Sequence, residues 1–420
     1  MYQRTVLDNG LPVLTSTMPN IHSVSMALFV GAGSRYETDD MAGASHFLEH
    51  LLFKGTKGWP TAREVSEAIE GVGGIMNAST DREMTIYWCK VAKPHFRTAL
   101  AVLADMLVHP IIDPEELEKE REVILEELRM TNDYPSNRVG LLIDETLWPA
   151  QPMGRDVGGS QESVKAITRD HVMEYMGSQY TPRNVVAAVA GDVSHEEVVD
   201  LLADLLKDWK DAEPIPWFPV EDHNGSAPVR VEQRNTDQAH LCLALPGLHQ
   251  DHPDRYAMTL MNVMLGEGMS SRLFLELREK QSLAYDVHSS ISFYRDCGSM
   301  SIYCGVEPKK SHGAVSAILE QLKGLQGNIP QSELDKSREL SKGRMMLRME
   351  DSRSVAMWLG AQEKLAGRVH TVDEVVALMD EVTTEDVERV AADLVRDENL
   401  KLAVVGPHRS DRPFQKLLKL

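Results

Sequence analysis

The chain repeats itself at about half its length, and this limits the folds open to it. Met84-Thr85-Ile86-Tyr87 returns 216 residues later as Met300-Ser301-Ile302-Tyr303. Pro114 and Pro330 keep that offset, Lys119 and Arg121 meet Lys336 and Arg338 at 217, and Leu128-Arg129-Met130 meets Leu347-Arg348-Met349 at 219. Thr168 and Asp170 match Thr384 and Asp386 at 216, and Val189-Ala190-Gly191 matches Val404-Val405-Gly406 at 215. Each pair is weak alone. A near-constant offset of half of 420 residues reads as a duplication, two domains of one fold. Residues 211–229 (DAEPIPWFPVEDHNGSAPV) carry four prolines and an Asn-Gly-Ser run with no periodicity, as a connecting segment does. The expected division is a first domain at 1–212, a linker at 213–227 and a second domain at 228–420. Runs at 24–30 and 85–91 predict strands, and amphipathic patterns at 98–107, 114–130 and 195–206 predict helices. No regular strand–helix–strand spacing accompanies them. The expected fold class is therefore α+β: two homologous domains, each a mostly antiparallel sheet with helices packed on one face.

Charge and cysteine usage narrow the function classes. Asp and Glu number 64 against 44 Lys and Arg, a net charge of −20 with no basic cluster, which excludes a nucleic-acid partner and suits basic or extended peptides. A hydrophobic share of 42% excludes wholesale disorder. The N-terminal residues lack a secretory pattern, and no apolar run approaches the ~18 residues of a membrane helix. Cys89, Cys242, Cys297 and Cys304 are scattered, as in a protein that keeps its thiols reduced, so a cytoplasmic location without membrane contact is expected.

The sharpest chemical feature is Ala44-Ser45-His46-Phe47-Leu48-Glu49-His50-Leu51-Leu52-Phe53. On a helix, His46 and His50 leave one face a turn apart, so two neutral ring nitrogens can meet one metal ion. Glu49 lies beside His50 and can reach a water there without ligating, while Phe47, Leu48, Leu51 and Leu52 anchor the helix and Gly55 stops it. A surface helix with two histidines is the plainer alternative, but His-x-x-Glu-His is the inverted metallopeptidase motif. A catalytic zinc site needs a third protein ligand and an open position. The predicted helix 114–130, with Asp113 as its N-cap, offers Glu126 and Glu127. Glu127 shares a face with Glu120, Val123 and Ile124, whereas Glu126 falls near Lys119, Glu122 and Arg129. Glu127 is thus the better ligand, and Glu120, two turns earlier, can orient a histidine.

The sequence resembles the pitrilysin/insulinase family of zinc metallopeptidases, in its short two-domain branch that includes the mitochondrial processing peptidase and its bacterial relatives. The resemblance rests on HFLEHLLFKGT around His46–Thr56, GGIMNASTDRE around Gly73–Glu83, EKEREVILEE at Glu118–Glu127, MGRDVGGS at Met153–Ser160 and SSRLFLELREKQSLAY at Ser270–Tyr285. It implies Glu127 as the distal ligand and Glu120 as its supporting acid. It also implies that Arg278 and Tyr285 contact the substrate backbone and the tetrahedral intermediate. Without the resemblance, Arg278 reads as a helix-surface charge and Tyr285 as a core strand residue. Asn77 and Ala78 match an edge strand that pairs with extended substrate through main-chain hydrogen bonds. In the processing peptidase the parts are split between unlike subunits. Here the metal motif and the Arg/Tyr motif share one chain, and only Gly266-Glu267-Gly268 stands where a long glycine-rich loop would be, so a homodimer is the natural expectation.

The expected activity is a zinc-dependent endopeptidase for unfolded peptides, basic ones among them, with one Zn²⁺ per chain and Glu49 as general base. The second repeat has no His-x-x-Glu-His and carries Arg344 near the ligand position. Two alternatives are a non-catalytic subunit of the same fold and a metal hydrolase acting on something other than peptides. The isolated His22, His109 and His240 read as polar surface or satisfied core residues, and the 21 methionines as core filler.

Overall fold

The computed structural model describes residues 2–221 and 227–420, so residues 222–226 of the expected linker lie outside it. The two halves build sheets of matching topology. The first half supplies β1 (Gln3–Val6), β2 (Pro12–Thr17), β3 (Ser23–Val30), β4 (Ile75–Thr80), β5 (Thr85–Ala92) and β6 (Val185–Gly191). They order as β1-β2-β6-β3-β5-β4. The second half supplies β7 (Val229–Gln233), β8 (Ala239–Pro246), β9 (Ala284–Phe293), β10 (Gly298–Val306) and β11 (Lys401–Gly406), ordered β7-β11-β8-β10-β9. Each sheet is antiparallel except for one parallel pair, β2 with β6 and β7 with β11. That pair occupies equivalent positions, so the duplication extends to strand direction.

Helices of the first half fill one face of the first sheet: α1 (Ala44–Leu52), α2 (Ala62–Glu70), α3 (Phe96–Val108) and the start of α4 (Pro114–Asp133). Asp113 Oδ1 accepts from the Glu115 and Glu116 amides and caps α4 at the residue expected from sequence. Along β3, Val24, Met26, Leu28 and Val30 join this core while Ala27 and Phe29 point to the opposite face. That face is also buried. It is covered by the helix Ser352–Ala366, through Val355, Ala356 and Leu359, although this helix belongs to the second half of the sequence. Polar contacts fix its seat: Ser352 Oγ lies 2.9 Å from Ser25 Oγ, Asp351 pairs with Lys90, and Arg4 Nη2 pairs with Glu363 at 2.8 Å.

The second sheet receives the reciprocal contribution. Its own helices cover one face, and α5 (Pro135–Leu147), from the first half, lays Val139, Leu142 and Ile143 against Cys242, Ala244, Ala403 and Val405 on the other. Arg138 pairs with Glu232 and Arg230 with Glu145, both at 2.7 Å. Helices therefore pack on one face from the same half, as expected, and a single exchanged helix closes the opposite face. The physical reason is that the central strands are apolar on both sides and need a second cover. The compact units accordingly cross the sequence halves. One comprises the chain up to Leu128, Asp156–Phe218 and Met346–Thr371; the other comprises Arg129–Arg155, Pro219–Met345 and Val372–Leu420.

The start of the expected linker is docked. Phe218 N–H donates to the Arg35 carbonyl at 3.0 Å, Arg35 Nε donates to the Phe218 carbonyl at 3.1 Å, and the guanidinium stacks on Trp217. Among the described residues, no helix is long and apolar enough to cross a membrane.

Candidate metal centre

The site is built on α1, whose entrance is tightly specified. Gly43 begins it at φ +95°, and a Cβ there would sit 2.5 Å from the Gly158 carbonyl oxygen, so only glycine fits. The buried Glu37 carboxylate accepts from the Gly43 and Ser45 amides, both at 2.7 Å, satisfying the helix start from outside the helix. Ser45 Oγ meets Tyr175 Oη at 2.7 Å. Phe47, Leu48, Leu51 and Leu52 are fully buried, which turns His46, Glu49 and His50 outward from the core.

His46 Nε2 and His50 Nε2 lie 3.3 Å apart, and Glu127 Oε2 from α4 stands 3.5 Å from His50 Nε2 and 3.8 Å from His46 Nε2. The three donor atoms fall within 4.8 Å of one another, close enough for one metal ion to meet all three. The donor chemistry fits zinc: two imidazole nitrogens and a carboxylate, with an open side. Glu120 Oε2 takes His50 Nδ1 at 3.0 Å, which turns the His50 Nε2 lone pair toward the cluster, and Lys54 Nζ holds Glu120 Oε1 at 2.5 Å. His46 Nδ1 is buried with no hydrogen-bond partner among the described residues, and Gly158 packs beside it. Burial, reinforced by the nearby His50, pulls His46 down to about 4 and keeps it neutral, the form that can ligate.

Glu49 stands apart from this donor set. Its Oε2 accepts a 2.5 Å hydrogen bond from Thr80 Oγ1, at the end of β4. Burial raises its pKa above the ordinary carboxylate value; the Thr80 hydrogen bond and His50 oppose the shift, and Glu127 adds to it. A carboxylate shifted upward is better matched to taking and returning a proton near neutrality.

Among the described residues β4 pairs only with β5 and is the edge of its sheet. Asn77 and Ala78 lie on it, with the Asn77 side-chain oxygen accepting from the Ala78 amide at 2.8 Å. Arg278 and Tyr285 belong to the second compact unit and form a pair there. Arg278 lies in a π-helical turn, Phe274–Lys280, donates from Nη1 to the Tyr285 carbonyl at 3.2 Å and covers the Tyr285 ring at 4.7 Å. Tyr285 is 78% exposed, so it is not the core strand residue that its sequence context suggests. In the same unit, Arg344 donates to Glu267 Oε2 at 3.0 Å and Asn262 donates to Glu267 Oε1 at 2.7 Å. A cation, the exposed Arg344, thus stands near the sequence position that matches Glu127 of the other repeat. Sequence reading gave no role to Lys54, Glu37 or Thr80. Only the position of Thr80 at the end of an edge strand, and of Lys54 one turn after His50, hinted at them.

A duplicated α+β fold carrying an inverted His-x-x-Glu-His helix with a distal glutamate defines the class of molecule. Residues 12–161 match the family described as Insulinase (Peptidase family M16), and residues 166–340 match Peptidase M16 inactive domain. The chain belongs to the insulinase (M16) peptidase family. An uncharacterized zinc protease of Streptomyces coelicolor is 36% identical over 413 residues, spanning 96% of this chain and 89% of its own. The uncharacterized zinc protease YmxG of Bacillus subtilis is 35% identical over 418 residues, spanning 97% and 98%. The crystal structure of a protease from Helicobacter pylori shares the fold, with TM-score 0.91 and 24% identity over 97% of this chain and 99% of that one.

Proposed function

We propose that this protein is a zinc-dependent endopeptidase that hydrolyses extended, unfolded peptides. One observation carries it: α1 and α4 bring two imidazole nitrogens and a carboxylate to within 4.8 Å, while Glu49 of the same motif stays outside that donor set, tethered to Thr80. His46, His50 and Glu127 would hold the ion. When bound, zinc supplies Lewis acidity that makes an adjacent water acidic and polarises a peptide carbonyl. Glu49 takes the proton from the attacking water and returns it to the leaving amine. Glu120 fixes the His50 ring, and Lys54 fixes Glu120. The β4 edge at Asn77 and Ala78 offers main-chain groups to an extended peptide, which selects for unfolded substrates more than for sequence. Arg278 binds the peptide backbone, and Tyr285 donates to the developing oxyanion. We further propose a homodimeric, cytoplasmic protein that prefers basic peptides, in keeping with the net charge of −20.

The match described as an inactive domain covers residues 166–340, a stretch shared between the two compact units. It does not extend to the motif at His46–His50. The test is cleavage of a mixed quenched-peptide pool by wild type and Glu49→Gln, with bound zinc quantified in both. A variant that keeps zinc and loses ~10²-fold or more supports the assignment. Zinc in both proteins and cleavage by neither would favour a non-catalytic subunit.

A further inference from the structure

We propose that Thr80 is the positioning residue of the general base: its hydroxyl donates to Glu49 Oε2 and so sets the orientation in which that carboxylate meets the proton it takes. The direction of the hydrogen bond follows from the neighbours. Thr85 Oγ1 lies 3.3 Å from Thr80 Oγ1 but donates its own proton to the Ala32 carbonyl at 3.0 Å. Thr85 Oγ1 can therefore only accept from Thr80, and the Glu49 carboxylate, charged and nearer at 2.5 Å, is the stronger acceptor of the Thr80 proton. A glutamate side chain has several rotamers, and its carboxylate oxygens exchange by rotation; a charge-assisted hydrogen bond from the Thr80 hydroxyl restricts that freedom.

The anchor itself is rigid. Thr80 pairs with Thr85 on the last rung of the β4–β5 ladder, and the turn that follows is tied at every residue. Asp81 Oδ1 accepts from the Glu83 amide at 2.7 Å and the Met84 amide at 2.8 Å. The Ser34 amide donates to the Asp81 carbonyl at 3.2 Å and the Arg35 amide to the Arg82 carbonyl at 3.0 Å. Glu83 is locked by the fully buried Arg35 at 2.5 Å. A Cβ at Gly33 would meet the Asp81 carbonyl oxygen at 2.3 Å, so the chain there closes directly onto this turn. Thr80 is thus held by backbone on both sides. It also shares β4 with Asn77 and Ala78, so the strand edge offered to a peptide and the group that aligns the base are one piece of structure. Alignment of this kind acts on the rate of the chemical step rather than on ground-state binding.

The proposal takes the peptidase activity above as its premise, and the test separates the two. Thr80→Val keeps the shape and removes the donor; Thr80→Ser keeps the donor. Both are made in the full chain, loaded with zinc, and compared for kcat, KM, zinc affinity by chelator competition and melting temperature. Thr80→Val is expected to lower kcat ~10–100-fold with KM, zinc affinity and melting temperature near wild type, and Thr80→Ser to restore kcat to within a few-fold. In a Glu49→Gln background, Thr80→Val should cost nothing more. A separate readout needs no substrate: the Glu49 carboxylate band, isolated as the infrared difference between wild type and Glu49→Gln, should shift in the Thr80→Val background and not with Thr80→Ser. An unshifted band overturns the proposal. So does an unchanged kcat, or equal losses in the valine and serine variants. If the wild type cleaves no peptide, the peptidase reading fails, and the infrared comparison alone decides the role of Thr80.

Discussion

Adding a single methyl group at Gly360 tests the exchanged helix that closes the first sheet. Gly360 is buried in Ser352–Ala366, and a Cβ there would fall 1.9, 2.3 and 2.6 Å from Cε2, Cδ2 and Cζ of Phe29. Ordinary contact begins near 3.4 Å, so the helix or the ring must give by about 1.5 Å. The ring has little room, because Phe29 is fully buried on β3, which is paired on both sides by β5 and β6. Overpacking of this kind costs ~1–3 kcal/mol, and a clash with the ring of a central strand belongs at the upper end. Replacing a mid-helix glycine by alanine returns ~1 kcal/mol through helix propensity. Gly360→Ala should therefore destabilise by ~2 kcal/mol net, lowering the melting temperature of a unit of about 200 residues by ~4–8 °C. Calorimetry in the presence of a chelator reads this without a contribution from bound metal. Phe29→Leu in the Gly360→Ala background should recover part of the loss, giving a coupling of opposite sign to the single effects. A Gly360→Ala protein as stable as wild type, or a strictly additive double variant, would refute the close packing of this helix on β3.

Two further outcomes follow from the site. Lys54→Met removes the cation that holds Glu120 against His50, and zinc affinity measured by chelator competition should fall ~10–100-fold; Lys54→Arg should retain most of it. His46 is held at about 4, below its unfolded value, so the unfolded chain binds the extra proton first as pH falls. The metal-free protein should then lose stability as pH drops from ~6.5 toward 4, and His46→Gln should flatten that part of the profile, as followed by denaturant midpoint against pH.

Much of the metal centre was legible because its parts lie on regular elements. His46 and His50 are one helical turn apart, and Glu127 was chosen over Glu126 by the face it shares with Glu120 and Ile124. Glu127 stands with both histidines in one donor group, although Val123, on the same stripe, is 43% exposed. The α4 stripe passes from the core at Leu117 and Ile124 out to the site, where a ligand must be half open. Thr80 and Lys54 were not legible, because their partners, Glu49 and Glu120, lie far along the chain and neither residue type announces a role. The one-sided helical packing expected for each sheet missed a signal that was present. Ser-Val-Ser-Met-Ala-Leu-Phe-Val on β3 and Ala-His-Leu-Cys-Leu-Ala-Leu-Pro on β8 lack the polar alternation of a strand with a wet face. No local pattern says which distant helix will supply the cover. Tyr285 read as core because aromatic residues in strands usually are, and its exposure follows from its place beside Arg278 on an open surface.

The exchange of helices sets a timetable for synthesis. The last strand of the first sheet ends at Gly191, whereas the helix that closes its outer face ends at Ala366. At ~5–20 residues per second, a ribosome needs ~10–35 s to make the stretch between them. Throughout that interval Leu14, Ala27, Phe29, Val186 and Ala188 lack the cover that Val355, Ala356 and Leu359 bring. Until the second half is made, the first sheet is expected to present one uncovered apolar face, the kind of surface that invites aggregation. Cutting the gene at the linker would yield two fragments, each carrying the missing layer of the other, able to complete their sheets only by finding one another.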